Sequence, residues 1–315
     1  MLRFALLLAL VALSNVAATA RTQAGAPAAD PFAYDAKLPL DFRDAGAETL
    51  PGATVHDVSY ASPKGGRVPA YLVVPAGKGP FAAIEFVHWG QGNRTEFLSE
   101  ALLYARGGAV SLLIDAPHNR PDYERGPSFL DNPQADRDLY VQLVVDARRG
   151  LDLLLSRPDV DPKRLAYVGH SLGATWGGAL AGVEKRVGAY VLMGGLPNIT
   201  DFSGDDWISK MVRARYTPQQ VEKYAGTVGP VNPENFVGRS APARLFFQFA
   251  RWDRYISRAA AGRYEKAAAQ PKTARTYDTS HEFNDLRSWC DRTAWLRDEL
   301  RLSGMPKEPA CGSGQ

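Results

Sequence analysis

Five consecutive residues, Gly169-His170-Ser171-Leu172-Gly173, stand between an apolar run at 165–168 and a stretch of small, helix-compatible residues at 174–182. No other segment constrains the fold as strongly. A serine on a tight strand-to-helix turn projects its hydroxyl above a sheet, and glycine is needed on both sides because a Cβ there would meet neighbouring backbone. The helix that follows aims its free N–H groups and the positive end of its dipole at the same point. A Gly-x-Ser-x-Gly string alone carries modest weight; its place between a buried strand and a helix makes it informative.

Around this turn, strands and helices alternate. Residues 54–61 and 67–74 read as strands paired about Pro63-Lys64-Gly65-Gly66, and 82–88 as a continuous apolar strand broken only by Glu85. Residues 96–106 read as a helix ended by Gly107-Gly108, followed by a strand at 110–114. Leu139, Leu143, Val144, Ala147, Leu151, Leu154 and Leu155 recur at helical spacing and predict a long amphipathic helix over 139–155. Residues 190–193 and 245–249 supply two more buried strands, and 295–302 a closing helix. This alternation predicts an α/β architecture with a mostly parallel central sheet and helices on both faces. Between about 198 and 240 the pattern breaks into polar, aromatic and Pro-rich sequence. That stretch reads as a small lid-like insertion between two strands, or as an ordinary long excursion.

The first twenty residues have the form of an export signal: basic Met1-Leu2-Arg3, an apolar core at 4–13, and Ala18-Thr19-Ala20 as a cleavage site. The apolar core is about ten residues, half of what spans a bilayer, so cleavage after Ala20 and a secreted or periplasmic location are expected rather than a membrane anchor. Roughly 295 residues then remain, enough for a leader at 21–52, one α/β domain at 53–302 and a tail at 303–315. The net charge of +3 is too small, and Lys and Arg too dispersed, to indicate nucleic acid or an anionic membrane as partner. The only two cysteines, Cys290 and Cys311, are placed to pair in an oxidising compartment, or to remain two thiols with one on the tail. Pairing would close a loop of about twenty residues, worth roughly 3 kcal/mol in the chain-entropy model. Two Cys and five scattered His give no metal-ligand spacing, and no cofactor is expected. Oligomeric state is left open.

If Ser171 is a nucleophile, it needs an imidazole to take its proton and a carboxylate to fix the imidazole's tautomer. With this elbow the partners follow in the order Ser, acid, His, and His281 is the only histidine C-terminal to Ser171. Asp253, directly after the strand at 245–249, is the expected acid, since the C-terminal ends of parallel strands form the ligand-binding rim. Asp278, Asp205 and Asp206 compete for that role, and a helix N-cap is the alternative use for Asp253. Two N–H donors for the developing oxyanion are expected from Leu172 and from the loop His88-Trp89-Gly90-Gln91-Gly92, with Gly90 favoured and Trp89 the alternative. Trp89, Trp176, Trp207, Trp252, Tyr255 and Phe283 could wall a substrate pocket, with two or three touching substrate. His118 falls on the same rim, orienting substrate or simply exposed on its loop.

The strand ending in His88-Trp89-Gly90, the Gly-His-Ser-Leu-Gly elbow, Asp253 after a strand and His281 before a C-terminal helix together resemble the α/β-hydrolase superfamily. Within it the chain is most similar to the dienelactone hydrolase-like and acetyl-xylan-esterase-like groups, over about residues 53–302. It departs from true dienelactone hydrolases in having Ser rather than Cys at 171, and from the commoner His-Gly-x loop in having Trp89 in place of Gly. The resemblance implies a serine esterase acting on small or medium acyl esters, free or polysaccharide-linked, through an acyl-enzyme. A serine peptidase of the prolyl-oligopeptidase or aminopeptidase kind, a catalytically silent binding module and an acyltransferase are the other readings.

Overall fold

Apolar runs flanked on both sides by amphipathic helices can bury both faces only as a layered sheet. The computed structural model describes residues 30–121 and 130–305. The export signal at 1–20, the first nine residues of the leader, and Cys311 with most of the tail lie outside the described residues. Nine strands form one sheet: β1 (Arg43–Leu50), β2 (Ala53–Ala61), β3 (Arg67–Pro75), β4 (Phe81–Val87), β5 (Ala109–Ile114), β6 (Val160–His170), β7 (Ala189–Met193), β8 (Arg244–Ala250) and β9 (Lys272–Tyr277). Their order is β1-β2-β3-β5-β4-β6-β7-β8-β9; the first three are antiparallel and the six from β5 to β9 run parallel. Every residue of β4, β5 and β7 is buried, as strands covered on both faces require.

The two faces carry separate cores. In β4, Ile84 and Phe86 point to one face, where Phe97, Tyr104, Leu296 and Leu300 pack; Ala83 and Val87 point to the other, with Leu143, Val144, Leu151 and Trp176. The first face is covered by α1 (Leu98–Arg106) and by α8 (Leu286–Leu300), and the second by α2 (Pro133–Leu155) and α3 (Leu172–Val183). Each fully buried Leu or Phe contributes about 1.5–3 kcal/mol relative to exposure. Between β7 and β8 the chain forms α4 (Trp207–Arg215), α5 (Pro218–Val228) and the single turn α6 (Glu234–Val237), and α7 (Arg258–Ala267) joins β8 to β9.

Three elements differ from the sequence expectation, each for a physical reason. Residues within the 21–52 leader are integral to the sheet and its core. Residues 43–50 form edge strand β1, exposed along almost its whole length and bulged between Asp44 and Gly46, so no apolar alternation marks it. Phe32 is fully buried against Phe236, its carbonyl accepting from Arg148 on α2 at 2.8 Å, a partner 116 residues away. α2 begins at Pro133 rather than 139 because its first turn is started by a cap, the Asn132 side chain accepting from the Ala135 N–H, and not by an apolar stripe. α8 begins at Leu286 rather than 295; Asp285 caps it, and its inward face carries Ser288, Arg292 and Thr293, which hide the apolar period. Arg292 is neutralised there by a two-pronged pair with Glu100 on α1. Cys290, on the same helix, is disulfide-bonded.

Candidate functional site

β6 runs straight into the elbow, and Ser171 takes φ 50°, ψ −100°, a conformation that costs a residue with a Cβ of order 1–3 kcal/mol. The surrounding structure enforces it. The Ser171 N–H donates to the Met193 carbonyl at 2.7 Å, and the Ser171 carbonyl accepts the Thr175 N–H at 2.8 Å to start α3. The flanking glycines are needed for close approach: a Cβ on Gly169 would fall 2.4 Å from the Gly173 carbonyl, and one on Gly173 would fall 2.1 Å from the Val87 carbonyl oxygen.

Asp253 and His281 arrive on the loops after β8 and β9. The His281 Nε2 lies 2.8 Å from the Ser171 Oγ, and the His281 Nδ1 2.7 Å from the Asp253 Oδ2. The other carboxylate oxygen, Oδ1, accepts the backbone N–H groups of Tyr255 at 2.8 Å and Ile256 at 2.9 Å. Both side chains are only 2% exposed, so the hydrogen bond between them lies out of water, where its electrostatics are strong. A carboxylate only accepts, so the Nδ1 carries the ring proton and the Nε2 is left as a lone-pair base facing the serine hydroxyl. The Tyr255 ring meets the His281 imidazole edge-on, centroids 4.8 Å apart. Among the competing acids, Asp278 pairs with Arg251 at the surface, and Asp206 caps α4 by accepting the Ser209 N–H.

The loop after β4 corrects one expectation. Trp89 does not offer its N–H to the site, because it donates to the Glu96 Oε2 at 2.8 Å. Gly90 and Leu172, which line the same cavity as Ser171, have N–H groups committed to no acceptor among the described residues. Two histidines set the loop. The His88 Nδ1–H donates to the Trp89 carbonyl at 2.6 Å, while the His88 Nε2 accepts the Ala116 N–H at 2.9 Å. C=O and N–H point in opposite directions across a trans peptide, so holding the Trp89 carbonyl turns the Gly90 N–H the other way. The His118 Nε2–H donates to the Gly90 carbonyl at 2.9 Å; this half-buried histidine is a loop brace and not an exposed residue. Burial pushes both imidazoles below their ordinary range and so keeps them neutral.

A cavity of about 400 Å³ opens beside Ser171. Trp176, Leu196, Ile199, Phe202 and Ile208 give it an apolar wall, and an Asp201–Arg263 ion pair at 2.8 Å lies on its lining. Of the six aromatics singled out in the sequence, Trp176 and Tyr255 line this cavity. Trp89 and Phe283 instead pack around His170, and Trp207 and Trp252 are 54% and 69% exposed. His88, Glu96 and His170 were not singled out by the sequence. His170 stood inside the elbow motif itself, whereas nothing in the local sequence marks Glu96. Among the described residues no group of His, Cys, Asp and Glu is arranged to hold a metal ion, and no helix is long and apolar enough to cross a membrane.

Comparison with known proteins adds to this geometry. A family model described as Acetyl xylan esterase (AXE1) matches residues 33–225. An acetyl xylan esterase from Paenibacillus sp. R4 superposes with a TM-score of 0.68 at 23% identity, covering 84% of this chain and 89% of that one. Acetyl Xylan Esterase 1 from Thermoanaerobacterium sp. JW/SL YS485 gives 0.69 at 18% identity, covering 84% and 88%. A polyketide transferase, ATR5, of Stachybotrys chlorohalonatus is 29% identical over 154 residues, 48% of this chain; the match spans about half of that relative, 47%.

Proposed function

The chain belongs to the acetyl xylan esterase family, a family of carboxylic ester hydrolases with the α/β-hydrolase fold, and from that premise we propose that it is an exported serine esterase for small and medium acyl groups. The observation that carries the mechanism is the unbroken relay from the Ser171 Oγ through His281 to Asp253, at 2.8 and 2.7 Å. His281 takes the serine proton as the Oγ attacks the ester carbonyl. The N–H groups of Leu172 and Gly90 receive the oxyanion, a contribution of about 3–4 kcal/mol for each such donor. The protonated Nε2 then delivers its proton to the leaving alcohol, leaving an acyl group on Ser171. Water activated by the same Nε2 attacks that acyl-enzyme, releasing the acid and restoring the serine.

The size of the cavity supports the acyl range. At about 400 Å³ it falls within the range of small-molecule sites, and an acetyl group leaves most of its apolar wall uncovered. Ester-linked acyl groups on polysaccharides are the natural substrates on this reading. Export is supported by the basic, apolar and small-residue order of the first twenty residues.

The test is release of 4-nitrophenol from acyl esters from acetyl to palmitoyl, run beside Ser171→Ala. Turnover of the shorter esters, abolished in a folded Ser171→Ala protein, is the expected result. Activity retained by Ser171→Ala would remove the serine from the mechanism. A folded wild type inert to every ester would shift the reading to the peptidase or the silent binding module.

A further inference from the structure

Behind the elbow runs a chain of hydrogen bonds that the mechanism above does not use. The side chain of Glu96, on the turn leading into α1, is 19% exposed. Its Oε2 accepts the Trp89 N–H at 2.8 Å, and its Oε1 lies 2.5 Å from the Nδ1 of buried His170. On the other side of that ring, the His170 Nε2 lies 2.8 Å from the backbone carbonyl oxygen of His281. A carbonyl only accepts, so the His170 Nε2 carries a proton and donates it. The Trp89 indole stacks on the His170 ring, centroids 5.9 Å apart and planes 14° apart, and Phe283 meets it edge-on at 5.8 Å. The absence of a side chain at Gly92 makes room for this assembly: a Cβ there would fall 2.4 Å from the Trp89 ring and 2.8 Å from the Glu96 Oε2.

We propose that His170 and Glu96 are positioning residues, a clamp that fixes the backbone of His281 against the loop that carries Gly90. The sheet explains the need for one. The base follows β9 and the oxyanion donor follows β4, and β6, β7 and β8 lie between those strands. No ladder of backbone hydrogen bonds therefore joins the two loops directly. The run Trp89 N–H to Glu96 to His170 to His281 carbonyl supplies the missing tie, crossing behind the serine from one loop to the other. A displacement of about 1 Å between reacting groups can cost on the order of 100-fold in rate, so a tie of this kind acts on turnover rather than on binding.

The inference rests on the reading of Ser171 as nucleophile, and the experiment separates the two. Glu96→Ala removes the clamp. Glu96→Gln keeps the tie with one bond reversed: the amide oxygen accepts the Trp89 N–H, the amide nitrogen donates to the His170 Nδ1, which in the wild type donates to the carboxylate, and the Nε2 proton stays on the His281 carbonyl. For hydrolysis of 4-nitrophenyl acetate, Glu96→Ala is expected to lower kcat about 10- to 100-fold with KM within about twofold, and Glu96→Gln to recover to within about threefold of wild type. Nitrogen-15 NMR of the imidazoles should show a protonated His170 Nε2 in wild type and Glu96→Gln. An alanine variant with wild-type kcat, a glutamine variant as slow as the alanine variant, or an effect confined to KM would overturn the clamp. If the wild type hydrolyses no ester, the hydrolase reading fails while the NMR measurement still decides the clamp: a wild-type His170 Nε2 without a proton refutes it.

Discussion

Replacing Asp253 by asparagine changes one heavy atom and should nearly silence the enzyme. The Asp253 Oδ1 accepts two backbone N–H groups, from Tyr255 at 2.8 Å and Ile256 at 2.9 Å, and those donors accept no substitute for oxygen. The amide oxygen must take that position, which turns the amide NH₂ towards the His281 Nδ1, 2.7 Å away in the wild type. A donor facing the Nδ1 forces the ring proton onto the Nε2, and the lone pair that should receive the Ser171 proton is gone. Restoring the productive tautomer means flipping the amide and leaving two buried N–H groups facing a donor, at about 1–3 kcal/mol each, or roughly 2–6 kcal/mol in all. At about 1.4 kcal/mol per tenfold this is a loss of up to about 10⁴ in kcat, the size seen for the same exchange in a serine protease triad. The assay is steady-state hydrolysis of 4-nitrophenyl acetate, with urea unfolding to confirm that the fold survives and nitrogen-15 NMR to locate the His281 ring proton. An asparagine variant within tenfold of wild type, or one whose His281 proton stays on the Nδ1, would refute the argument.

Other perturbations have equally definite outcomes. Glu85 is fully buried with both carboxyl oxygens unpartnered among the described residues, and burial, reinforced by the charge of Glu184, holds its carboxyl well above the usual range. Its raised folded-state value makes its contribution favourable in acid and progressively lost as pH climbs past the unfolded carboxylate range near 4.3, so Glu85→Gln should be more stable than wild type in urea melts at pH 8, with the gain shrinking towards pH 5. Gly173→Ala, with a Cβ 2.1 Å from the Val87 oxygen, should lose about 1–3 kcal/mol in the same melts and most of its turnover. Ile208→Trp fills part of the apolar wall; hydrolysis of hexanoyl esters should fall at least about tenfold while acetyl esters are unaffected, and an unchanged chain-length profile would place the acyl group elsewhere.

How much of this could be read in the sequence depended on whether the information was local. The elbow, the strands around it and the positions of Asp253 and His281 could be read because each rests on a short string: glycines at fixed offsets, apolar runs, one downstream histidine. What was missed depended on partners far along the chain. Glu96 acquires its place only when β4 and β6 are side by side, which brings it to His170, 74 residues on. Trp89 stood as the alternative to Gly90 for the oxyanion donor because both share that loop, and only the fold shows the Trp89 N–H spent on Glu96. Strand β1 left no trace because an exposed edge has no buried face to impose alternation. The start of α8 was hidden by Arg292, a charge admitted to the interior by Glu100, 192 residues earlier.

The bulged, charged character of β1 has a bearing on how the molecule lives among copies of itself. The sheet ends in β1 on one side and β9 on the other, and an added strand would have to settle beside Arg43 and Asp44 at one margin or Arg275 at the other. The Asp44–Gly46 irregularity also breaks the even spacing of donors and acceptors that a tenth strand would need. The most self-adhesive sequence, the apolar ladders of β4 to β8, is thereby enclosed between two margins that resist zippering. Among the described residues the sheet thus ends at both margins in strands that offer a poor template for a further strand.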